Sequence, residues 1–159
     1  MEDLFTPQVL FMGIDPGYSG ATSVITKERK VVASNGHKKN TPIDLAEFFD
    51  EVSQFPNAIV LAVIERVHSM PKQGVASSFK FGEQYGMMQG FLYACKIPFE
   101  FVTPHKWQTD MKCRTKGDKN VTKDFAQRTF PGVKVTHANA DSLLLSEYAR
   151  LLAVEKGLI

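Results

Sequence analysis

Apolar positions along this chain follow two rhythms. Val9-Leu10-Phe11-Met12-Gly13-Ile14 and Ile59-Val60-Leu61-Ala62-Val63-Ile64 are short unbroken runs, the pattern of strands buried on both faces. They predict strands over residues 8–14 and 58–64. Ala21 to Thr26 and Lys30 to Ser34 read as two more strands, joined tightly at Lys27-Glu28-Arg29. Thr41-Pro42 then opens a helix through about Phe55, with Thr41 as N-cap and Pro42 at the first helical position. Its apolar residues, Leu45, Phe48, Phe49 and Val52, keep helical spacing. A loop over 66–74, a long helix over 75–95 and a strand over 99–102 follow. A short helical piece from Pro104, a basic helix over 119–129 and a final helix from about Asn139 to Val154 complete the pattern. Three meandering strands, a helix, then strand–helix–strand–helix describe an α/β fold: one domain over 1–159, with a mixed five-stranded sheet flanked by helices.

Both long apolar runs stop at a carboxylate. Asp15 follows the first, Glu65 follows the second, and Asp141 opens the apolar pattern of the last helix. Acids brought to one sheet edge by separate elements repel one another unless cations neutralise them. Oxygen donors of this kind suit Mg²⁺ or Mn²⁺, and a divalent centre points to phosphate chemistry. Each acid also has a plainer reading. Asp15 fits a turn before Pro-Gly, Glu65 can pair with Arg66, and aspartate is a preferred N-cap at 141. Against the last, Asp141, Leu145, Tyr148 and Leu152 share one helix face, so the acid tops the stripe expected to face the sheet.

Charge adds a polarity that the net +2 conceals. Residues 1–65 hold nine acids and five Lys/Arg, whereas residues 103–134 hold eight Lys/Arg and three acids. Lys112, Lys116, Lys119 and Lys123 recur at helical intervals, which would line up four ammonium groups along one side. That is costly unless a polyanion lies there. Cys95 and Cys113 lack metal-ligand spacing and fit reduced thiols, and no apolar run is long enough to span a bilayer. The acidic Met1-Glu2-Asp3 start lacks the basic opening of a secretory signal. A cytoplasmic protein is expected.

The order of motifs is more specific than any one of them. Gly13-Ile14-Asp15-Pro16-Gly17, Ile64-Glu65-Arg66-Val67, Phe81-Gly82-Glu83-Gln84-Tyr85-Gly86 and Ala140-Asp141-Ser142-Leu143-Leu144-Leu145 resemble the RuvC family of Holliday junction resolvases. Met70 to Val75 and Val102 to Trp107 look most like its small, phage-type branch. The resemblance runs from about residue 10 to 153. It implies a ribonuclease H-like fold, a homodimer, and paired, Mg²⁺-dependent nicking of four-way DNA junctions that leaves 5′-phosphates and 3′-hydroxyls. Mn²⁺ is a possible substitute, and two ions per site are expected. Asp15, Glu65 and Asp141 would be metal ligands. A lysine among Lys112, Lys116 and Lys119 would neutralise the phosphate, with Lys116 counted in the catalytic set.

The chain also departs from that pattern. The family offers a fourth acid shortly before the last aspartate; here His137 is the candidate, as ligand or proton shuttle. An aromatic three residues past the glutamate is replaced by His68, which can stack on a base. His68, Lys72, Lys112, Lys116, Lys119 and Lys123 form the expected DNA-binding set. Gly82, Gly86 and Gly90 recur every four residues and predict close backbone approach, either helix on sheet or helix on helix across a dimer. The nearest rival is a ribonuclease H-like nuclease acting on flaps, forks or RNA–DNA hybrids. A sugar-kinase or actin-like phosphate loop would need a second domain around the nucleotide, so no nucleotide cofactor is expected. A non-catalytic junction binder sits poorly with three retained acids.

Overall fold

A computed structural model describes residues 7–54 and 56–159. In chain order the strands are β1 (Gln8–Ile14), β2 (Ala21–Thr26), β3 (Val31–Gly36), β4 (Asn57–Glu65) and β5 (Phe99–Val102). The α-helices are α1 (Pro42–Ser53), α2 (Val75–Ala94), α3 (Pro104–Asp110), α4 (Asn120–Thr129) and α5 (Ala140–Glu155), and a single 3-10 turn spans His37–Lys39. The five strands form one sheet in the order β3-β2-β1-β4-β5. Short turns make β1, β2 and β3 antiparallel, whereas helical crossovers make β1–β4 and β4–β5 parallel. The expected mixed five-stranded sheet is the one observed.

Helices cover both faces, which is why β1 and β4 lack polar alternation. Leu10, Met12 and Ile14 pack under α1 and α2 with Leu45, Phe49, Met88 and Leu92. Phe11 points the other way, into a core built with α3, α4 and α5. The pairing of β1 with β4 slips by one residue, with Leu10 opposite Ile59 but Phe11 opposite Leu61. This bulge at Val60 turns Ile59 toward the same face as Ala62 and Ile64, and leaves Leu61 and Val63 on the α5 face. An all-apolar run carries no trace of such a slip.

Helix α5 is the centre of the second core. Leu143, Leu144, Leu145 and Ala149 are fully buried, so burial extends well beyond the stripe that the spacing predicts. The helix lies across β1, β2 and β4 and is covered by α4. Thr41 and Asp44 cap α1 reciprocally. The helix ends at Ser53; Phe55, its expected end, and Met1-Glu2-Asp3 lie outside the described residues.

Two expectations fail. An added Cβ at Gly82, Gly86 or Gly90 would meet nothing within 4 Å, so among the described residues no other element approaches that side of α2, and the glycines take no part in the helix-on-sheet contact, which Met88 and Leu92 make instead. Nor do the four lysines share a helix. Lys112 and Lys116 lie in the turns between α3 and α4 with φ of 58° and 47°, Lys119 is the N-cap of α4, and only Lys123 is inside it. Gly117, at φ 92°, and the Thr115–Asp118 turn break the run that the spacing implies.

Candidate active site

Strand β1 ends at Ile14 and releases Asp15 into the turn Asp15-Pro16-Gly17-Tyr18-Ser19-Gly20. Glu65 is the last residue of β4, which runs parallel beside β1, so both acids leave the sheet at the same edge. Asp141 is the second residue of α5 and is not its N-cap, a position held by Asn139. What brings α5 to this edge is Gly13. A Cβ there would overlap the Ser142 carbonyl and the Ser146 amide, so only glycine lets the helix backbone rest directly on β1. Gly20 does the same for the turn, since its Cβ would stand 2.7 Å from the Asp15 carboxyl carbon.

Buried hydrogen bonds fix the geometry behind the acids. The His37 Nδ1–H donates to the Gly17 carbonyl at 2.9 Å, which leaves Nε2 to accept from the Thr22 hydroxyl at 3.0 Å. Burial keeps this imidazole below its ordinary pKa, consistent with a neutral ring that locks the turn to β2. Trp107, fully buried in α3, donates its indole N–H to Glu65 Oε2 at 2.7 Å. The Arg66 guanidinium stacks over Phe101, 5.1 Å from the ring centre, so the plainer reading of Glu65 as the ion-pair partner of Arg66 does not hold.

Burial raises the proton affinity of all three carboxyl groups, and neighbouring acids add to it at Asp15 and Glu65. Burial and then Asp141 push Asp15 up to about 6. Burial, with smaller contributions from Asp15 and Asp141, pushes Glu65 up to about 8 despite the Trp107 bond. Burial also raises Asp141, opposed by the Thr122 hydroxyl, Lys119 and His137. Negative charge is being forced together in a poorly solvated place, the situation a divalent cation relieves.

A hollow of about 450 Å³ opens over this edge, lined by Asp15, Gly17, Ser19, Gly20, Lys119, Thr122, His137, Ala138 and Asp141. Asp141 Oδ1 is buried there without a hydrogen-bond partner. Two of the three carboxylates line the hollow, one of them with an unspent buried oxygen, and Glu65 stands beside it at the same edge; this is the donor chemistry of a Mg²⁺ or Mn²⁺ site. Among the described residues no three potential ligands are drawn closely enough to hold an ion as they stand.

No family model and no curated protein matches this chain. Solved structures do. Thermus thermophilus RuvC superposes with a TM-score of 0.62 at 13% identity, over 93% of this chain and 96% of that one. T. thermophilus RuvC in complex with Holliday junction substrate gives 0.62 at 11% identity, over 94% and 96%. The chain has the ribonuclease H-like fold of RuvC.

On this RuvC fold the remaining expected residues scatter. Lys119 lines the acid hollow and acts on both Asp15 and Asp141. Lys116, in its turn, is not among the residues lining it. His137 does line it, from the turn just before α5 rather than from the helix. His68 and Lys72 lie exposed in the loop that follows Glu65. Trp107, His37 and Gly20 are not foreseen from the sequence. Trp107 stands in the Val102–Trp107 segment and is the chain's one tryptophan, the signal that was there to use. His37 carries no motif. No helix among the described residues is long and apolar enough to cross a membrane.

Proposed function

We propose that residues 1–159 form one ribonuclease H-like nuclease domain that resolves four-way DNA junctions by paired, metal-dependent nicking. The observation that carries this reading is the meeting of Asp15, Glu65 and Asp141 at one sheet edge, in the fold of a protein solved with a Holliday junction substrate. The low identity leaves each role to be argued from this chain's own side chains.

Asp15, Glu65 and Asp141, with His137 at the rim, would hold one or two divalent cations, Mg²⁺ or Mn²⁺, which when bound activate water and neutralise the leaving oxygen. The rest falls to the protein. Lys119 sets its ammonium beside Asp15 and Asp141 and counters the charge that develops on the phosphate. Trp107 holds the Glu65 carboxylate from behind, and His37 holds the Asp15 turn. Lys112, Lys116, Lys123, Lys72 and His68 meet backbone and bases outside the site. A second copy of the chain supplies the second cut, and α2 is the surface proposed for pairing: Phe79 and Tyr93 are exposed and Gly82, Gly86 and Gly90 are open.

The test is nicking of a fixed four-way junction, with three-way and RNA–DNA hybrid substrates beside it, in Mg²⁺ and in Mn²⁺. Paired nicks on the junction, lost in Asp15→Asn, Glu65→Gln and Asp141→Asn while binding persists, are the expected result. Preference for the hybrid would move the chain to the rival ribonuclease class, and an active Asp141→Asn protein would remove that acid from the site.

A further inference from the structure

Across the Asp15 turn from the acids lies a second hollow, of about 620 Å³, lined by Tyr18, Gln73, Ser77, Lys80, Phe81 and Gln84. Its size is that of a small-molecule site. Metal-dependent nicking gives these residues no role, yet their chemistry is unbalanced in an informative way. Tyr18 is 60% exposed for a large aromatic ring, and Phe81 is half-buried beside it. The Gln84 side-chain nitrogen is buried with no acceptor. Gln73 spends its carbonyl oxygen on the Met70 amide at 3.0 Å, which leaves its nitrogen to donate. The hollow thus combines aromatic faces with unspent N–H donors, the complement of a flat ring bearing a carbonyl.

Its position limits what that ring can be. Gly17 lines the acid hollow, and a Cβ on it would lie 3.8 Å from Asp15 Oδ1 and 3.9 Å from the Phe81 ring. Gly17 therefore stands between Asp15 and the Phe81 ring, with no side chain of its own to separate them. A nucleotide with its phosphate at the acids would bring its own base, or the next one, toward this glycine.

Resting on the nuclease reading, we propose that this hollow takes one unstacked base of the strand being cut, and holds guanine or thymine in preference to adenine or cytosine. Stacking on Tyr18 and Phe81 is indifferent to base identity. Discrimination comes from the amides. Guanine and thymine offer O6 and O4 as acceptors, whereas adenine and cytosine present an amino donor at the same place, donor against donor. Gln73 cannot turn its amide to accept from a wrong base without giving up the Met70 bond, and Gln84 as it stands is left with a buried, unpaired nitrogen, the kind of mismatch that discriminates strongly.

The experiment places thienoguanine, a fluorescent guanine analogue sensitive to stacking, in turn at each position around the crossover of a four-way junction. Binding is measured in EDTA, so that no strand is cut. Emission should change at one position next to the nick site for wild type and not for Tyr18→Ala. In Mg²⁺, adenine at that position should slow nicking at least about fivefold relative to guanine. Gln84→Glu, which keeps size and exchanges donor for acceptor, should reverse that preference, and circular dichroism checks that both variants are folded. No responsive position, or an unchanged response and preference in both variants, overturns the base site. A chain that shows the response yet nicks no junction in Mg²⁺ or Mn²⁺ overturns the nuclease reading instead and leaves a base-binding site on a non-cutting protein.

Discussion

Alanine at Gly13 puts one methyl group where two main chains touch. The new Cβ would overlap the Ser142 carbonyl oxygen and the Ser146 amide, and would stand 2.6 Å from the Leu145 carbonyl carbon. None of these is the tip of a flexible side chain, so α5 has to move as a body. Restoring an ordinary separation of 3.4–4 Å requires a withdrawal of about 1 Å. Overpacking of this kind costs about 1–3 kcal/mol, and the unyielding backbone puts Gly13→Ala in the upper part of that range. The lost conformational freedom of glycine in the unfolded chain offsets about 0.4–1 kcal/mol. A net loss of about 2 kcal/mol should appear as a lower urea midpoint with an unchanged slope. The same shift carries Asp141 away from Asp15, and misplacement by about 1 Å costs about 100-fold in rate. Single-turnover nicking at saturating protein, corrected for the folded fraction, reads that second effect separately. A variant as stable as wild type would refute the close approach, and a destabilised variant with full activity per folded molecule would refute its link to the site.

Without metal, stability should fall as pH rises: Glu65 ionises near 8 instead of 4.5 and Asp15 near 6 instead of 3.8, so the folded chain keeps protons that the unfolded chain releases. The stability present below about pH 4 is lost through pH 8, Mg²⁺ or Glu65→Gln should flatten the decline, and a metal-free melting temperature that rises from pH 5 to 8 would contradict it. Lys119→Ala should slow nicking of already bound junction, whereas alanine at Lys112, Lys116 and Lys123 should chiefly reduce the salt dependence of binding, by about 0.9 in slope for each duplex phosphate no longer neutralised; the two groups behaving alike would erase the distinction. His137→Ala should lower nicking at least about tenfold, or about 1.4 kcal/mol of barrier, with folding intact, and full activity would leave His137 a bystander at the rim. Gly86→Leu should convert a sedimenting dimer to monomer, and a monomeric wild type at micromolar concentration would remove the proposed pairing through α2.

Strands and helices were legible because their signals are local. The apolar runs ending at Asp15 and Glu65, the Thr41-Pro42 start and the spacing of Leu45, Phe49 and Val52 each act within a few residues, and each matches an observed element within a residue or two. The placement of the candidate acids was legible for a related reason, since a carboxylate closing a buried strand has only the sheet edge to occupy. What stayed hidden depends on contacts between distant residues. The bulge at Val60 exists only relative to β1, and the bond from Trp107 to Glu65 spans 42 residues. The glycines teach the same point from both sides. Gly82, Gly86 and Gly90 drew notice by their period, yet a Cβ on any of them would meet no other element among the described residues, while Gly13 and Gly20, with no period at all, are the two where a Cβ would collide. Likewise Lys112 to Lys123 hold helical spacing across a segment whose positive-φ turns prevent a helix.

The indole of Trp107 reaches the site from behind and touches Glu65, and it is the only indole in the chain. Its excited state is sensitive to the charge and hydrogen bonding of that one carboxylate, so the protein carries its own optical gauge. Ultraviolet fluorescence of the unlabelled chain can follow protonation of Glu65 and, on the proposed function, would register the cation and the DNA in real time, with no dye and no cut strand needed. Because the ring is also part of the core around α5, the same signal marks global unfolding. Occupancy of the site and integrity of the fold are thereby written on a single chromophore.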